Sequence, residues 1–253
     1  MTTTTSTPRI VGHRGAATRA PENTLASFAR AVLDGADAVE LDVHATRDGR
    51  LAVHHDATLG RTSVAGRHAG RIGELTWREV AEVELAGDQR VPELAEALDL
   101  IPTDVFVEVK DVAAAAPAAR LVRERGLADR VVITSFLPDA LRLAASAAPE
   151  VRRGLIEVHP TRESPSLLTE LGASVYHLCL AGARAEDVAQ AQARGLEVGV
   201  WTLHTFDEVR RAVDLGCDTL TADDPAWCRA AVESLRAPAA GARPTAIASL
   251  PAA

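Results

Sequence analysis

The segment AVELDVHATRDGRLAVHH, residues 38–55, decides how the chain divides into structural elements. Its two ends, AVELDV and LAVHH, are apolar runs of strand length. Only HATRDGR separates them, whereas a crossover between parallel strands needs a dozen or more residues. The two runs are therefore predicted to form an antiparallel hairpin around Asp48-Gly49, a dipeptide typical of hairpin turns.

Nine strand-like runs alternate with segments of helical periodicity along the chain. Because one run is the hairpin partner, eight remain, and their alternation with helices predicts a TIM (β/α)8 barrel with a hairpin insertion after the second strand. An open doubly wound sheet is the alternative, but the sequence has neither a Gly-rich dinucleotide fingerprint nor a P-loop. The predicted strands are RIVGH, AVELDV, LAVHH, DVFVEVK, RVVITSF, RRGLIEV, SVYHLCL, LEVGVWTL and CDTLTA, and the predicted helices are residues 24–34, 76–85, 93–100, 113–125, 138–147, 165–171, 185–194 and 206–215.

Composition and charge restrict the class of protein. With 253 residues, 47% of them hydrophobic, the chain is long enough for a single barrel domain, which we predict over residues 9–236. Residues 1–8 and the Ala- and Pro-rich residues 237–253 are expected to be disordered tails. A net charge of -8 and a pI near 5.5 leave no basic footprint, so nucleic-acid binding is not expected.

The cysteines and the N-terminus indicate the compartment. Cys179, Cys217 and Cys228 are widely spaced and odd in number, which fits reduced, buried thiols better than a disulfide framework or a zinc site. The start MTTTTSTPR lacks the features of a secretory signal, and no run is long enough to cross a membrane. These features predict a cytoplasmic protein.

Carboxylates occur near the C-terminal ends of two predicted strands, where barrel enzymes carry their catalytic groups. Glu40 and Asp42 are two residues apart and so share one strand face, as do Glu108 and Lys110. Three carboxylates without a cysteine form an oxygen-rich site that suits Ca²⁺, Mg²⁺ or Mn²⁺ rather than zinc. A divalent cation would also relieve the repulsion among the three charges.

The hairpin predicts which histidine faces this site. A two-residue turn at Asp48-Gly49 places His55 opposite Asp42 and His54 opposite Val43, so that His55 shares the carboxylate face. A shift of one residue in register would reverse the choice.

Four further residues suggest phosphoester chemistry. Arg14 offers a planar fork for phosphate oxygens and Lys110 a point charge, which together indicate a phosphoryl group bound next to the cation. His13 and His55 would supply the two proton transfers of phosphodiester cleavage, one from the nucleophile and one to the leaving alkoxide.

An ordered set of motifs resembles the glycerophosphodiester phosphodiesterase family. The motifs GHRGAATRAPENT, AVELDVHATRDGRLAVHHDATLGRTS, VPELAEAL, FVEVK, ITSF and VWTLHTFDEVRRAVDLGCDTLTADDP match it in order and spacing and cover nearly all of residues 9–228. The resemblance implies a metal-dependent TIM barrel that hydrolyses glycerophosphodiesters, such as glycerophosphocholine or glycerophosphoethanolamine, to an alcohol and glycerol 3-phosphate.

The resemblance also implies residue roles. It makes His13 and His55 the acid-base pair, Arg14 and Lys110 the phosphate ligands, and Glu40, Asp42 and Glu108 the ligands of a cation, often calcium or magnesium. Glu22 and Asn23 would lie in the loop beside the site, with Glu22 on the substrate side and Asn23 also a candidate cap of the next helix. Trp201 would form an apolar wall for the glycerol.

Some positions depart from the family pattern. GCDTLTADDP stands where the family reads approximately GVDGIITDxP, which predicts altered substrate fit rather than altered chemistry. His204 stands where the family often has Asn, which predicts altered rim contacts or an altered pH profile. Three alternative functions are a lysophospholipase D of the same fold, a Schiff-base aldolase using Lys110 and a non-catalytic phosphate-ligand binder.

We expect no stable membrane association and either a monomer or a dimer. The residues expected to be structural are Ser135, as a polar strand end, and His44, His68, His159 and His177, as surface or satisfied histidines.

Overall fold

A computed structural model describes residues 7–66 and 68–236, so the predicted tail 237–253 and most of the predicted tail 1–8 lie outside the described residues. Each of the nine predicted strands is confirmed, and two short strands are added between the third and the fourth. The strands are β1 Arg9–Gly12, β2 Ala38–Ala45, β3 Leu51–Val53, β4 Glu84–Leu85, β5 Gln89–Arg90, β6 Asp104–Val109, β7 Val131–Ser135, β8 Arg152–Glu157, β9 Val175–Cys179, β10 Glu197–Leu203 and β11 Thr219–Ala222.

Eight parallel strands close into a barrel. Their order is β1, β2, β6, β7, β8, β9, β10, β11, and β11 pairs with β1 again. β3 is antiparallel to β2 and lies outside this ring. It pairs with the end of β2, beyond Val39, where β2 no longer pairs with β1. The predicted (β/α)8 barrel with a hairpin after its second strand is therefore confirmed.

The register predicted for the hairpin is wrong by one residue. Val43 lies opposite Val53, and the backbone N–H of His54 donates to the carbonyl of Asp42, so His55 is not the partner of Asp42. The connection is a five-residue loop, residues 46–50, rather than a two-residue turn. The Thr46 hydroxyl stabilises this loop by accepting from the Arg50 N–H at 3.0 Å and donating to the Asp48 carboxylate at 2.6 Å.

The helices pack outside the barrel, mostly where predicted. The predicted helix 76–85 is shorter, because β4 begins at Glu84, and a helix after the last strand was not predicted. That final helix, residues 225–236, packs beside β1, and its Arg229 donates to the Asp37 carboxylate at 2.8 Å. The helices are α1 Leu25–Leu33, α2 Trp77–Ala81, α3 Leu94–Leu100, α4 Val112–Glu124, α5 Pro138–Ala147, α6 Ser164–Glu170, α7 Ala185–Gln192, α8 Phe206–Asp214 and α9 Pro225–Arg236.

The interior of the barrel is apolar in its lower half and polar above. Val11, Ala38, Phe106, Val132 and Val175 form a buried cluster inside the ring. Beneath them, at the N-terminal ends of the strands, ion pairs join Arg9 to Asp104 and Glu197, and Arg152 to Glu197. Because this lower half is packed, the space for a ligand inside the barrel lies at the C-terminal ends of the strands.

The first helix is capped by Thr24, not by Asn23. The Thr24 hydroxyl accepts from the N–H of Ser27 and donates to the carbonyl of Pro21. Asn23 has a positive φ of 55° and directs its side chain to the barrel mouth instead.

We therefore predict that Thr24→Ala lowers the free energy of unfolding by about 1 kcal/mol, the usual value of a lost N-cap. Thr24→Ser keeps the hydroxyl and should retain most of that stability. Chemical denaturation of both variants measures the difference. Equal stability of Thr24→Ala and the parent would contradict the assignment of the cap.

Candidate functional site

A pocket of about 220 Å³ opens at the C-terminal ends of the strands. Seven of the residues predicted from the sequence line it, namely His13, Arg14, Glu40, His55, Glu108, Lys110 and Trp201. The remaining two lie behind this lining: Asp42 is 1% exposed, and Glu22 contacts the guanidinium of Arg14. All nine predicted positions are thus brought to one end of the barrel.

The acidic cluster of Glu40, Asp42 and Glu108 is built by two neighbouring strands. β2 carries Glu40 and Asp42 on its inner face, and the parallel register places Glu108 of β6 beside Asp42. One oxygen from each carboxylate lies within 4.8 Å of the others. Burial and the charge of Asp42 raise the pKa of Glu40 to about 8, and the same two causes raise the pKa of Glu108.

The donor set of this cluster fits a hard divalent cation. Each member offers carboxylate oxygen, the ligand atom that Ca²⁺, Mg²⁺ and Mn²⁺ prefer. Burial and the neighbouring charge of Asp42 both raise the pKa of Glu40, and a positive ion between the oxygens would offset both effects. Within residues 7–66 and 68–236, this is the one group of three acidic, histidine or cysteine side chains close enough together to hold an ion.

Two cations and an amide hold Asp42. Its carboxylate lies 3.3 Å from Lys110 Nζ and 3.4 Å from Arg14 Nε, and Asn23 donates to it at 2.7 Å. Asn23 also accepts from the Asp42 N–H at 3.2 Å. Burial alone would raise the pKa of Asp42, but the two cations and the amide outweigh it, and the pKa is lowered.

Lys110 is a charged group rather than a nucleophilic amine. Its Nζ donates to Glu108 at 2.6 Å as well as contacting Asp42. Burial opposes its charge, but the two carboxylates outweigh burial and raise the pKa of Lys110 above its ordinary value. A Schiff-base lysine needs a lowered pKa, so the aldolase alternative does not fit this site.

His13 and His55 are each backed by a carboxylate. His13 Nδ1 lies 2.6 Å from Asp223, and His55 Nδ1 lies 2.6 Å from Asp56. These bonds occupy Nδ1 in each ring and leave Nε2 for other partners. His55 reaches the pocket because β3 ends at Val53 and the chain then turns inward, not because of the predicted cross-strand pairing.

The two rings differ in the direction of their pKa shifts. Burial lowers the pKa of His13, but the hydrogen bond to Asp223 and the charge of Glu40 outweigh it, so the net shift is upward. For His55 burial dominates, and the pKa falls below its ordinary value although Asp42 and Asp56 oppose the change.

Arg61 connects the two sides of the pocket and was not predicted from the sequence. Its guanidinium donates to both oxygens of Glu22 at 2.7 and 2.9 Å, and its Nε donates to Asp56 at 2.6 Å. Glu22 also accepts from Arg14 at 2.9 Å. A continuous chain of charged hydrogen bonds therefore runs from Arg14 to the carboxylate behind His55.

Asp223 directly follows the last strand, β11, and its contact with His13 was not predicted from the sequence. Because β11 pairs with β1, the residue after β11 lies beside His13, which follows β1. A closed barrel requires the last strand to pair with the first, and this requirement was the sequence signal that could have predicted the contact.

One of the histidines expected to be structural lines the pocket. His177 on β9 is 5% exposed, and its Nε2 has no hydrogen-bond partner among the described residues, so the prediction of a satisfied or surface residue is wrong. The predictions for His44 and Ser135 are confirmed. His44 bonds to Asp111 and to the carbonyl of His55, and the Ser135 hydroxyl donates to the carbonyl of Val109.

Aromatic side chains form another part of the pocket wall. Trp201 on β10 and Phe136 after β7 pack edge to face with ring centroids 5.6 Å apart. Lys110 Nζ lies 6.0 Å from the centroid of Phe136. The pocket thus combines a strongly charged side with an apolar one.

A closed (β/α)8 barrel with polar groups gathered at its C-terminal mouth is the arrangement of barrel enzymes. Comparison with known proteins identifies the class more closely. The profile of the Glycerophosphoryl diester phosphodiesterase family matches residues 13–227. The chain belongs to this family and is an enzyme of the glycerophosphodiester phosphodiesterase class.

Individual relatives are similar to this chain over most of its length and of their own. A glycerophosphodiester phosphodiesterase of Caldanaerobacter subterraneus is 29% identical over 85% of this chain and 94% of its own. The crystal structure of a glycerophosphodiester phosphodiesterase from Agrobacterium tumefaciens is 31% identical, with a TM-score of 0.75 over 87% of this chain and 97% of its own. An Oleispira antarctica phosphodiesterase, solved with its product sn-glycerol-3-phosphate, has the same fold, with a TM-score of 0.83 at 24% identity over 90% of this chain and 97% of its own.

The described helices include none that is both long enough and apolar enough to cross a membrane.

We predict that Asp223→Asn moves the alkaline limb of the activity profile to lower pH. The raised pKa of His13 depends on the carboxylate, so without that charge the imidazolium loses its proton at lower pH. The measurement is the pH dependence of kcat/KM. Asp214→Asn, an exposed change on α8, is the matched control, and an alkaline limb unchanged in Asp223→Asn would contradict the coupling.

We also predict that Arg61→Ala lowers kcat by about 10- to 100-fold, as is typical when a residue behind a catalytic ligand is lost. Arg61→Lys should recover only part of the loss, because an ammonium cannot span Glu22 and Asp56 as the guanidinium does. Arg71→Ala, an exposed arginine on the same connection, should leave kcat unchanged. Full activity of Arg61→Ala would show that the network has no role in turnover.

Proposed function

We propose that the chain hydrolyses glycerophosphodiesters such as glycerophosphocholine or glycerophosphoethanolamine to the alcohol and glycerol 3-phosphate, using a divalent cation and two histidines. The observation that carries this proposal is the convergence at one pocket of a three-carboxylate cluster, two cationic side chains and two carboxylate-backed histidines. Phosphodiester cleavage can use each of these groups, whereas a simple binding site needs no pair of proton-transfer residues.

Glu40, Asp42 and Glu108 would hold the cation, with Ca²⁺ or Mg²⁺ favoured and Mn²⁺ possible by ligand type. When bound, a divalent cation polarises the phosphoryl oxygens and offsets charge that develops on them. Arg14 and Lys110, whose positive charges lie against the same carboxylates, would orient the remaining phosphate oxygens.

The opposite pKa shifts support different roles for the histidines. His55, whose lowered pKa favours the neutral ring, would accept a proton from the water that attacks phosphorus, and His13, whose raised pKa favours the charged ring, would give its proton to the departing alkoxide. The bond from phosphorus to the water oxygen forms as the bond to the headgroup oxygen breaks, which leaves glycerol 3-phosphate and the alcohol. Trp201 would pack against the carbon skeleton of the glycerol.

These roles set the expected pH dependence. Activity should fall at low pH as His55 gains its proton, and at high pH as His13 loses its own, which gives a bell-shaped kcat/KM profile. His13→Ala and His55→Ala should each lower kcat by about 100-fold or more. His159→Ala, an exposed histidine away from the pocket, is the matched control.

Removal of the cation should abolish release of glycerol 3-phosphate. The test is to assay the chelator-treated protein with both glycerophosphodiesters before and after adding Ca²⁺, Mg²⁺ or Mn²⁺. Activity that returns with one cation supports the proposal and identifies the ion. Undiminished activity after chelation would refute the role of the cation, and a folded protein inactive with every cation would refute the substrate assignment.

Lysophospholipids are a second candidate substrate class. Phe136, Leu137 and Val158 are 38%, 37% and 44% exposed in the loops after β7 and β8, where they form an apolar rim beside the pocket. Such a rim favours an acyl chain. Assaying a lysophospholipid beside the deacylated substrates separates the two classes. The cytoplasmic location and the choice between monomer and dimer stay predictions.

A further inference from the structure

The floor of the pocket contains buried polar atoms that have no partner. His177 and Thr134 line the pocket and are 5% and 1% exposed, and Thr219 lies next to His177 and is fully buried. His177 Nε2, Thr134 Oγ1 and Thr219 Oγ1 have no hydrogen-bond partner among the described residues. Because an unsatisfied buried polar atom costs free energy, three of them together need an explanation.

Glycines on two strands let these polar side chains pack inside the barrel. Gly199 is flanked by the outward-packed Val198 and Val200, so its own position faces inward. A Cβ there would lie 2.1 Å from Thr219 Oγ1 and 3.0 Å from His177 Nε2. On β8, a Cβ at Gly154 would lie 3.0 Å from the methyl carbon of Thr134. A side chain at Gly199 would collide with Thr219 and His177, and one at Gly154 would crowd Thr134, so the two glycines allow the unpartnered groups to occupy the inside of the barrel.

The chemistry of the floor suits a neutral group that both donates and accepts hydrogen bonds. Burial lowers the pKa of His177 to about 4, so the ring is neutral and offers no charge to an anion. Its ring packs edge to face on Phe106, with centroids 4.8 Å apart, which fixes its orientation. Two threonine hydroxyls complete a set that matches an alcohol rather than a phosphate or an ammonium.

We propose that His177, Thr134 and Thr219 form a hydroxyl-binding subsite that receives the terminal hydroxyl of the glycerol in the substrate. This inference rests on the proposed function. Below the floor the barrel is closed by the apolar cluster that includes Phe106 and Val132, so only a short group fits, whereas the variable headgroup needs the open mouth. The subsite makes the enzyme selective for glycerol over shorter or deoxygenated alcohols.

The test compares two substrates that differ by one hydroxyl. One is glycerophosphocholine, and the other is 2-hydroxypropyl phosphocholine, which lacks only the terminal hydroxyl. The parent protein should prefer glycerophosphocholine by about 10- to 100-fold in kcat/KM, because the analogue leaves the floor unsatisfied. His177→Leu and Thr219→Val should reduce this ratio towards one by lowering kcat/KM for glycerophosphocholine alone.

A matched control exists at the other end of the barrel. Thr103, which precedes β6, also has a buried hydroxyl without a partner among the described residues. Thr103→Val makes the same change as Thr219→Val away from the pocket and should leave the substrate ratio unchanged. Thermal unfolding of each variant shows whether it is folded before its kinetics are compared.

Binding of products gives a readout independent of turnover. Calorimetry should show that the parent binds sn-glycerol 3-phosphate more tightly than 1,2-propanediol phosphate, which lacks the terminal hydroxyl. The two floor variants should lose this preference. The proposal would be overturned if the parent bound both ligands with equal affinity. It would also be overturned if a folded floor variant lost the same affinity for both ligands. If the parent hydrolyses neither diester, the proposed function is wrong. The binding preference measured by calorimetry then tests the subsite by itself.

Discussion

The repulsion among three buried carboxylates is the constraint around which the barrel mouth is organised. Glu40, Asp42 and Glu108 lie on two adjacent strands, and burial strengthens every interaction between their charges. Arg14 and Lys110 offset part of the negative charge at Asp42, which keeps it ionised, while Glu40 keeps a raised pKa. The cluster is therefore incompletely neutralised by protein groups alone, which is the electrostatic condition for binding a cation.

The extra strand β3, which lies outside the barrel, helps to position the groups at the barrel mouth. By pairing with the end of β2, β3 directs the chain across the barrel mouth, so that residues 54–62 approach the first loop. The ion pairs of Arg61 then tie Asp56, behind His55, to Glu22, beside Arg14. A segment that could be taken for an interruption of the barrel thereby positions one of its two proposed proton-transfer groups.

The division of the barrel interior into an apolar lower half and a polar upper half sets the depth of the pocket. Phe106 and its neighbours fill the lower half, while Gly154 and Gly199 let polar side chains pack at the level above. Two of the positions where this chain departs from the family pattern are Thr219, which packs against Gly199 next to His177, and Thr221, which lines the pocket. These two departures therefore lie at or next to the pocket, and the acidic cluster and the two histidine–carboxylate pairs are intact.

The sequence by itself determined the strand count, the barrel and the acidic cluster, because period-two alternation fixes which side chains share a strand face and parallel strands bring their C-terminal ends together. It did not determine the hairpin register, since the side chain of Thr46 stabilises a longer loop than the dipeptide Asp48-Gly49 suggests. The partners of the histidines, Arg61 and the unsatisfied floor at His177 were decided only by the tertiary structure. Those contacts join residues far apart in the chain, as His13 and Asp223 are, and only closure of the ring brings such residues together.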